Sequence, residues 1–441
     1  MKLRFWFFFT LLLSVLMLPI PIFSTGNHER KQVIILDIPR FDLAEITPEY
    51  PFLNKFIANS SVGLVTIPSI DYPLKSGQIY LYFNSNSFLK TPPEGYGIYD
   101  YTEKVNGIRA ADLHQTFSGK PALPGNAINI DLEKLLQSNT NLTNSNLGYF
   151  GNTLHDLLLK TAVIGNADTE RPNRSGAAMA MDSEGIIDYG AVGKETIQKD
   201  RLFPSGGRTN LQRVIQYYRR IRSKADLIVI TLGDLERIES YTRLLNPSQK
   251  EFYRRQTLRR YDGLCRDLLG SIPSRPAMIV VFTCLQPDKP HIKNNGLTPV
   301  IIHGTDFPNG LLYSRSTRKK GHITYPDLRN TILAYLSVPI DNRRQAVAVM
   351  PGDWQNLIIE QLGLVTDYSF RWPLLTTYIA LLVGLTCVII IGLILHFKIA
   401  FLKAIGWCYL WLLTIPATFL LEGLASPTQW RWVILYTLGI S

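Results

Sequence analysis

Apolar residues crowd into long runs at the two ends of this chain and alternate with polar ones in between. In the middle, Val33–Ile38 is a β-rich apolar run carrying Asp37 at its end, and Val62–Ile67 is a second. Asn152–Lys160 carries leucines at helical spacing and feeds a short strand at Thr161–Ile164, which runs into Gly165, Asn166, Ala167 and Asp168. Leu211–Arg222 reads as an amphipathic helix leading into the strand Asp226–Leu232, closed by Gly233 and Asp234. The basic helix Gln249–Leu269 precedes the strand Met278–Thr283, and Pro299–His303 and Leu311–Ser314 complete the strand candidates. A last helix, Asp327–Leu336, opens on a Thr324–Asp327 capping pattern and is stopped by Pro339. Buried β runs alternating with helices predict an α/β domain with a mostly parallel central sheet and helices on both faces. Ligands of such sheets gather at the carboxyl ends of the strands, where Asp37, Asp168 and Asp234 fall.

Residues 85–146 break the alternation. They are rich in Gly, Pro, Asn and Tyr, and read as an irregular insertion.

The end runs have the length of membrane elements. Lys2 and Arg4 precede Phe5–Phe23, the pattern of a secretion signal or signal anchor; the run's length favours an uncleaved anchor. Leu374–Leu395 is uncharged and long enough to cross the hydrocarbon layer, and Ala404–Leu421 follows it. Lys398 and Lys403 between them place that loop in the cytoplasm, as Lys2 and Arg4 place the start, so residues 27–371 fall outside. Trp430–Ser441 has the composition of a further span and reads as the opening of one that continues beyond this sequence. The expected organisation is a signal or anchor over 1–26, an extracytoplasmic domain over 27–371, and a multi-pass membrane region over 372–441.

The net charge of +11 is dispersed over segments such as Arg213–Lys224, Arg254–Arg266 and Arg315–Lys320. None of these is interleaved with aromatics in the pattern of a recognised nucleic-acid-binding module, and membrane lipid or an anionic envelope polymer is the expected partner. Gly206 and Gly207 beside Arg208 have the composition of an anion-friendly turn before a helix, a common and unspecific pattern. Of the four cysteines, Cys387 and Cys408 lie in apolar runs; Cys265 and Cys284 fit either a disulfide or two buried thiols.

A series of motifs carries a resemblance. It comprises Asp37 ending the first strand, the Gly165–Asp168 turn, Thr231–Asp234, the stretch Gly310–Arg318, and the helix Pro326–Leu333 with Leu336–Pro339 after it. Together these resemble the alkaline phosphatase superfamily, in particular its bacterial membrane-bound branch, over residues 30–345 and most strongly in the last third. The resemblance implies a phosphatase- or sulfatase-like sheet, two cations held by Asp and His, and a Ser or Thr nucleophile near the end of an early strand. Two cations about 4 Å apart lower the nucleophile's pKa and stabilise the leaving oxygen. Asp37 matches the first ligand position. Asp234 matches another, but Ile238 stands four residues on where the family has His. Where the family has an adjacent Asp-His after the next strand, this chain reads Phe282-Thr283-Cys284-Leu285-Gln286-Pro287-Asp288, with Asp288 and His291 at a different spacing. The late His would be His303 or His322, and the nucleophile Thr66, Ser69 or Ser76.

With two ligand motifs altered, the first expectation is a non-catalytic, alkaline-phosphatase-like domain that binds or scaffolds at the cell envelope and takes no metal cofactor. The second is a rearranged hydrolase or phosphotransferase for phosphate- or sulfate-bearing envelope polymers, holding Zn or Mn on Asp37, Asp234, Asp288, His291 and His322. Those side chains must then converge on one point. A third is a transporter subunit with a large outer domain, although the apolar runs carry almost no ionisable residues.

Overall fold

The computed structural model describes residues 30–67, 75–85, 87, 89, 97–139, 147–270, 276–288, 297–340, 346–396, 400, 403, 405–410 and 412–413. The chain divides into two compact units, Met1–Arg30 and Lys31–Ser441, and the elements below belong to the second.

Its main sheet is built from β1 (Gln32–Asp37), β2 (Ser61–Thr66), β3 (Thr161–Ile164), β4 (Tyr189–Ala191), β5 (Leu227–Thr231), β6 (Ala277–Phe282), β7 (Leu297–His303), β8 (Gly310–Tyr313), β9 (His322–Thr324) and β10 (Ala348–Met350). The spatial order is β10-β8-β2-β7-β6-β1-β5-β3-β4, with β9 pairing alongside β2. All strands are parallel except β7 and β10. This is the mixed α/β fold with a mostly parallel sheet that the alternating pattern predicts. β1 is central and buried at every position, the condition that makes a parallel strand a continuous apolar run. Its last residue, Asp37, lies level with Thr231 on one side and Phe282 on the other.

The described α-helices are α1 (Pro51–Ala58), α2 (Ser76–Ser85), α3 (Ala110–Ser118), α4 (Leu132–Gln137), α5 (Tyr149–His155), α6 (Leu211–Ile221), α7 (Asp234–Ser240), α8 (Pro247–Leu269), α9 (Tyr325–Tyr335) and α10 (Trp354–Ile394). Alternate residues of each strand feed two cores. Val33 and Ile35 join residues of α2, α5 and α9 on one face. Ile34 and Leu36 join residues of α1, α6, α7, α8 and the start of α10 on the other. α6 shows how sequence sets this. Asn210 caps it by accepting from the Arg213 amide, and Val214, Tyr218 and Ile221 bury one stripe. α9 has the full capping box between Thr324 and Asp327, with Pro326 in its first turn.

The 85–146 region is more regular than its composition suggests. It holds α3, α4 and the short strands Ile98–Asp100, Lys104–Val105, Ile108–Arg109 and Ala127–Asn129, each too brief to leave a period in the sequence. Cys265 and Cys284 belong to the cores on opposite faces of the sheet, and both are free thiols, which removes the disulfide alternative. The Gly206–Gly207 turn closes a hairpin between Ile197–Lys199 and Gly207–Thr209, and Arg208 is paired with Asp200 at 3.0 Å.

α10 runs for 41 residues. Its first turns pack on the domain through Trp354, Leu357 and Ile358. Its last 20 residues, Leu375–Ile394, are apolar and almost wholly exposed. Among the described residues this is one helix long and apolar enough to cross a membrane, where two or more transmembrane helices are expected from the sequence. The runs Phe5–Phe23 and most of Ala404–Leu421, on which a multi-pass arrangement depends, lie outside the described residues.

Candidate functional site

The carboxyl edge of the sheet gathers acidic side chains as expected, but it does not gather them onto one point. Asp37 is fully buried and turns to the face that carries α2. Tyr80, from α2, donates its hydroxyl to both carboxylate oxygens at 2.9 and 3.0 Å, and Thr231 donates to Oδ2 at 3.0 Å. Burial pushes the Asp37 pKa up to about 7, against the lowering effect of those two hydroxyls. The Cys284 thiol, pushed well above its ordinary value by burial, lies beside the same Tyr80. Gly176 packs so tightly here that a methyl group on it would overlap Asp37 Oδ2 and Thr231 Oγ1. A narrow crevice remains above, lined in part by Pro39, Ser76, Tyr80, Thr231 and Glu236.

Asp234 points to the opposite face. Its Oδ1 accepts from the Thr209 amide at 2.7 Å, the Thr209 hydroxyl at 2.9 Å and Arg237 at 2.8 Å. Its Oδ2 accepts from Arg260 at 2.9 Å. Buried Tyr261 bridges the Leu232 carbonyl and the Asp234 amide, fixing the strand-to-helix turn. Asp234 is therefore a buried anchor between two guanidinium groups, with both oxygens engaged.

The other carboxylates follow the same rule. Arg40, in a left-handed turn just after β1 at φ +65°, bonds Glu236 at 2.7 Å and Asp288 at 2.8 Å. Arg174 is almost completely buried between Asp168 at 3.1 Å and Glu103 at 2.5 Å. Glu239 takes Lys250 at 2.6 Å. Fixed cationic side chains thus neutralise Asp168, Asp234, Glu236, Glu239 and Asp288, whereas Asp37 has two neutral donors and Asp100 accepts from the Val192 and Gly193 amides beside Glu195. At the β4 side an open cavity of about 480 Å³ is lined by Asp100, Glu103, Glu195, Lys194, Tyr101 and Tyr217. Burial, and then Glu195 beside it, raises Asp100 to about 7.

The remaining candidates are dispersed. Asp288 is an exposed partner of Arg40. His322 is level with Leu64 of β2, four strands from β1, which at about 4.8 Å per strand is about 19 Å away. It bonds Glu360 of α10 at 3.3 Å instead. His303, at the amino side of the sheet, stacks on Phe56 and bonds Ser60. Thr66 ends β2, three strands from β1. Ser76 opens α2 inside the Asp37 crevice, while Ser69 and His291 lie outside the described residues. Among the described residues no group of three or more His, Cys, Asp or Glu side chains is placed to hold a metal ion. Among the described residues the two-cation centre that the resemblance implies does not fit: Asp37 is held by Tyr80 and Thr231, and Asp234 is held by Thr209, Arg237 and Arg260.

Sequence reasoning missed Tyr80, Arg40, Arg237 and Arg260, and placed Thr231 in a motif without its contact to Asp37. Of the missed residues only Arg237 left a local signal, three residues after Asp234 on one helical turn.

No family model matches the chain, and no curated protein matches it in sequence. Solved structures similar to it include the PH0037 protein from Pyrococcus horikoshii, at 11% identity and a TM-score of 0.39, covering 71% of this chain and 98% of that one. The lipoteichoic acid synthase LtaP from Listeria monocytogenes is similar at 9% identity and a TM-score of 0.38, covering 72% and 74%. A protein in the alkaline phosphatase superfamily from Vibrio parahaemolyticus is similar at 10% and 0.38, covering 73% and 68%. Likenesses this remote assign neither a family nor an activity to the chain.

Proposed function

We propose that this chain is a membrane-tethered, outward-facing domain of alkaline-phosphatase type that binds or scaffolds at the cell envelope without metal-dependent catalysis. One observation carries the reading: the acids at the carboxyl edge are neutralised by Arg40, Arg174, Arg237, Arg260 and Lys250, and Asp37 is held by Tyr80 and Thr231. Divalent cations are bound by carboxylates whose charge is left unbalanced by the protein, and for Asp168, Asp234, Glu236, Glu239 and Asp288 the balancing charge is already built in. α10 supplies the tether, with Leu375–Ile394 spanning about 30 Å at 1.5 Å per residue. Membrane lipid, and an envelope polymer or a second membrane protein, are the partners in this reading, with the cytoplasmic loop at Lys398 and Lys403 and a multi-pass membrane region.

The test is turnover by the full chain, supplied with Zn2+ or Mn2+, against phosphomonoester, phosphodiester and sulfate-ester substrates. The expected rate equals that of Asp37→Ala. A rate that both Asp37→Ala and Ser76→Ala abolish would establish the second reading, a metal-dependent phosphatase, sulfatase or phosphotransferase acting on envelope polymers. The observation favouring that alternative is the position of Ser76 at the start of α2, in the same crevice as Tyr80 and Thr231.

A further inference from the structure

The segment that interrupts the alternating pattern is pinned to β4, the last strand of the main sheet, and a cavity is left between them. Gly190 of β4 donates its amide to the Gly125 carbonyl at 2.8 Å, and the Tyr101 amide donates to the Asn126 carbonyl at 2.9 Å. Asp100 ends the strand Ile98–Asp100 and reaches past β4, accepting from the Val192 amide at 3.0 Å and the Gly193 amide at 2.8 Å. A methyl group on Gly190 would overlap Ala127, and one on Gly193 would overlap Glu195 and crowd Asp100, so this close approach needs glycine at both positions. The open cavity these contacts frame, about 480 Å³, falls within the range of small-molecule sites, about 300–1,000 Å³.

The chemistry of the wall limits what fits. Glu195 lies within hydrogen-bonding reach of Asp100, and two carboxyl groups this close hold one proton between them instead of both ionising. The pair then carries one negative charge, balanced by Lys194 on the same wall, while Glu103 is balanced by Arg174. Tyr101, Thr102 and Tyr217 also line the space. Their hydroxyls and the Lys194 ammonium make no hydrogen bond to any described residue. A strongly charged ligand of either sign meets like charge here, and a hydrocarbon strands the polar groups. A neutral polyol suits the set. Each of its hydroxyls both donates and accepts, and the wall offers acceptors at the carboxyl pair, donors at Lys194, and three hydroxyls that do both. The rings of Tyr101 and Tyr217 add apolar surface beside their polar tips, which matches the C–H faces of a sugar ring.

We propose that this cavity is a binding site for a short neutral saccharide, whose C–H faces pack on Tyr101 and Tyr217 and whose hydroxyls bond Asp100, Glu195 and Lys194. The inference goes beyond the metal-free reading and stands apart from it. The cavity shares no lining residue with the Asp37 crevice, so either can fail alone.

The full chain in lipid nanodiscs, with a fluorophore on the nanodisc scaffold, is titrated by microscale thermophoresis. The probes are glucose, galactose, N-acetylglucosamine, lactose and chitobiose, with glucosamine and glucuronate as charged counterparts. Saturable binding of at least one neutral sugar is expected, with Kd raised several-fold by Tyr217→Ala and by Glu195→Gln. Glu195 is exposed, so its substitution leaves the fold intact even if Tyr217→Ala does not. Tyr217→Phe keeps the ring and retains most of the affinity. Binding of none of the neutral sugars overturns the inference, as does binding that Glu195→Gln and Tyr217→Ala leave unchanged. Binding of glucosamine alone also overturns it, and makes the carboxyl pair an ammonium site.

Discussion

Replacing Asp234 with Asn separates a structural anchor from a metal ligand. In the folded chain Asp234 is fully buried and accepts four hydrogen bonds, two of them from guanidinium groups at 2.8 and 2.9 Å. Asn keeps one acceptor oxygen and turns an NH2 group toward a cation. Removing one partner of a buried pair costs about 3–5 kcal/mol, chiefly because the remaining charge is left uncompensated. Arg237 is 1% exposed and bears that penalty in full, whereas Arg260 is 20% exposed and is partly rehydrated. The expected loss is therefore at the lower end, about 3 kcal/mol. At about 2–4 °C per kcal/mol for a domain of this size, thermal unfolding of the full chain falls by about 6–12 °C. Near-UV circular dichroism in detergent follows it. Adding Arg237→Met to Asp234→Asn should recover part of the loss, since the stranded charge is removed with its partner. A variant that unfolds within 1 °C of the parent, about 0.3 kcal/mol on the same scale, refutes the anchor role.

Two pH signatures are expected in separate windows. Asp37 has its folded pKa raised to about 7, so it contributes stability that is complete below the ordinary carboxylate value and lost as pH rises through 7. Asp37→Asn should flatten that decline between pH 4 and 7; the measure is the difference from the parent, because Asp100 titrates in the same range. His155 is raised to about 9 by bonds to Asp182 and Asp188, so its stability is complete below the ordinary histidine value and lost through pH 9. His155→Gln should remove the loss between about pH 6.5 and 9, read from denaturant midpoints. Leu158→Gly should stabilise the chain by about 0.5–1 kcal/mol in thermal unfolding, since glycine accepts positive φ without strain.

Much of the architecture was legible because burial and period coincide. β3 was predicted residue for residue at Thr161–Ile164, and the Thr324–Asp327 capping box is present. α2 was missed for the converse reason. Gly77, Ile79, Tyr80, Leu81, Phe83, Asn84 and Ser85 are all buried, so no polar stripe marks a helical period, and Tyr80 was hidden with it. Asp37 and Asp234 were correctly placed at strand ends, but the face each side chain takes depends on partners far away in sequence. Tyr80 holds one, and Arg260 with Thr209 holds the other. Arg40 meets Glu236 and Asp288 across 196 and 248 residues, a pairing that no local pattern reports.

The central claim is that the protein's own side chains, cations at Asp168, Asp234, Glu236, Glu239 and Asp288 and two hydroxyls at Asp37, stand where bound metal would otherwise hold the acids of the carboxyl edge. Elemental analysis of the full chain, purified after equilibration with Zn2+ and Mn2+, tests it most directly. The account predicts well under one ion per chain, unchanged by Asp37→Ala. One or two tightly held ions per chain, lost on Asp37→Ala, would contradict it.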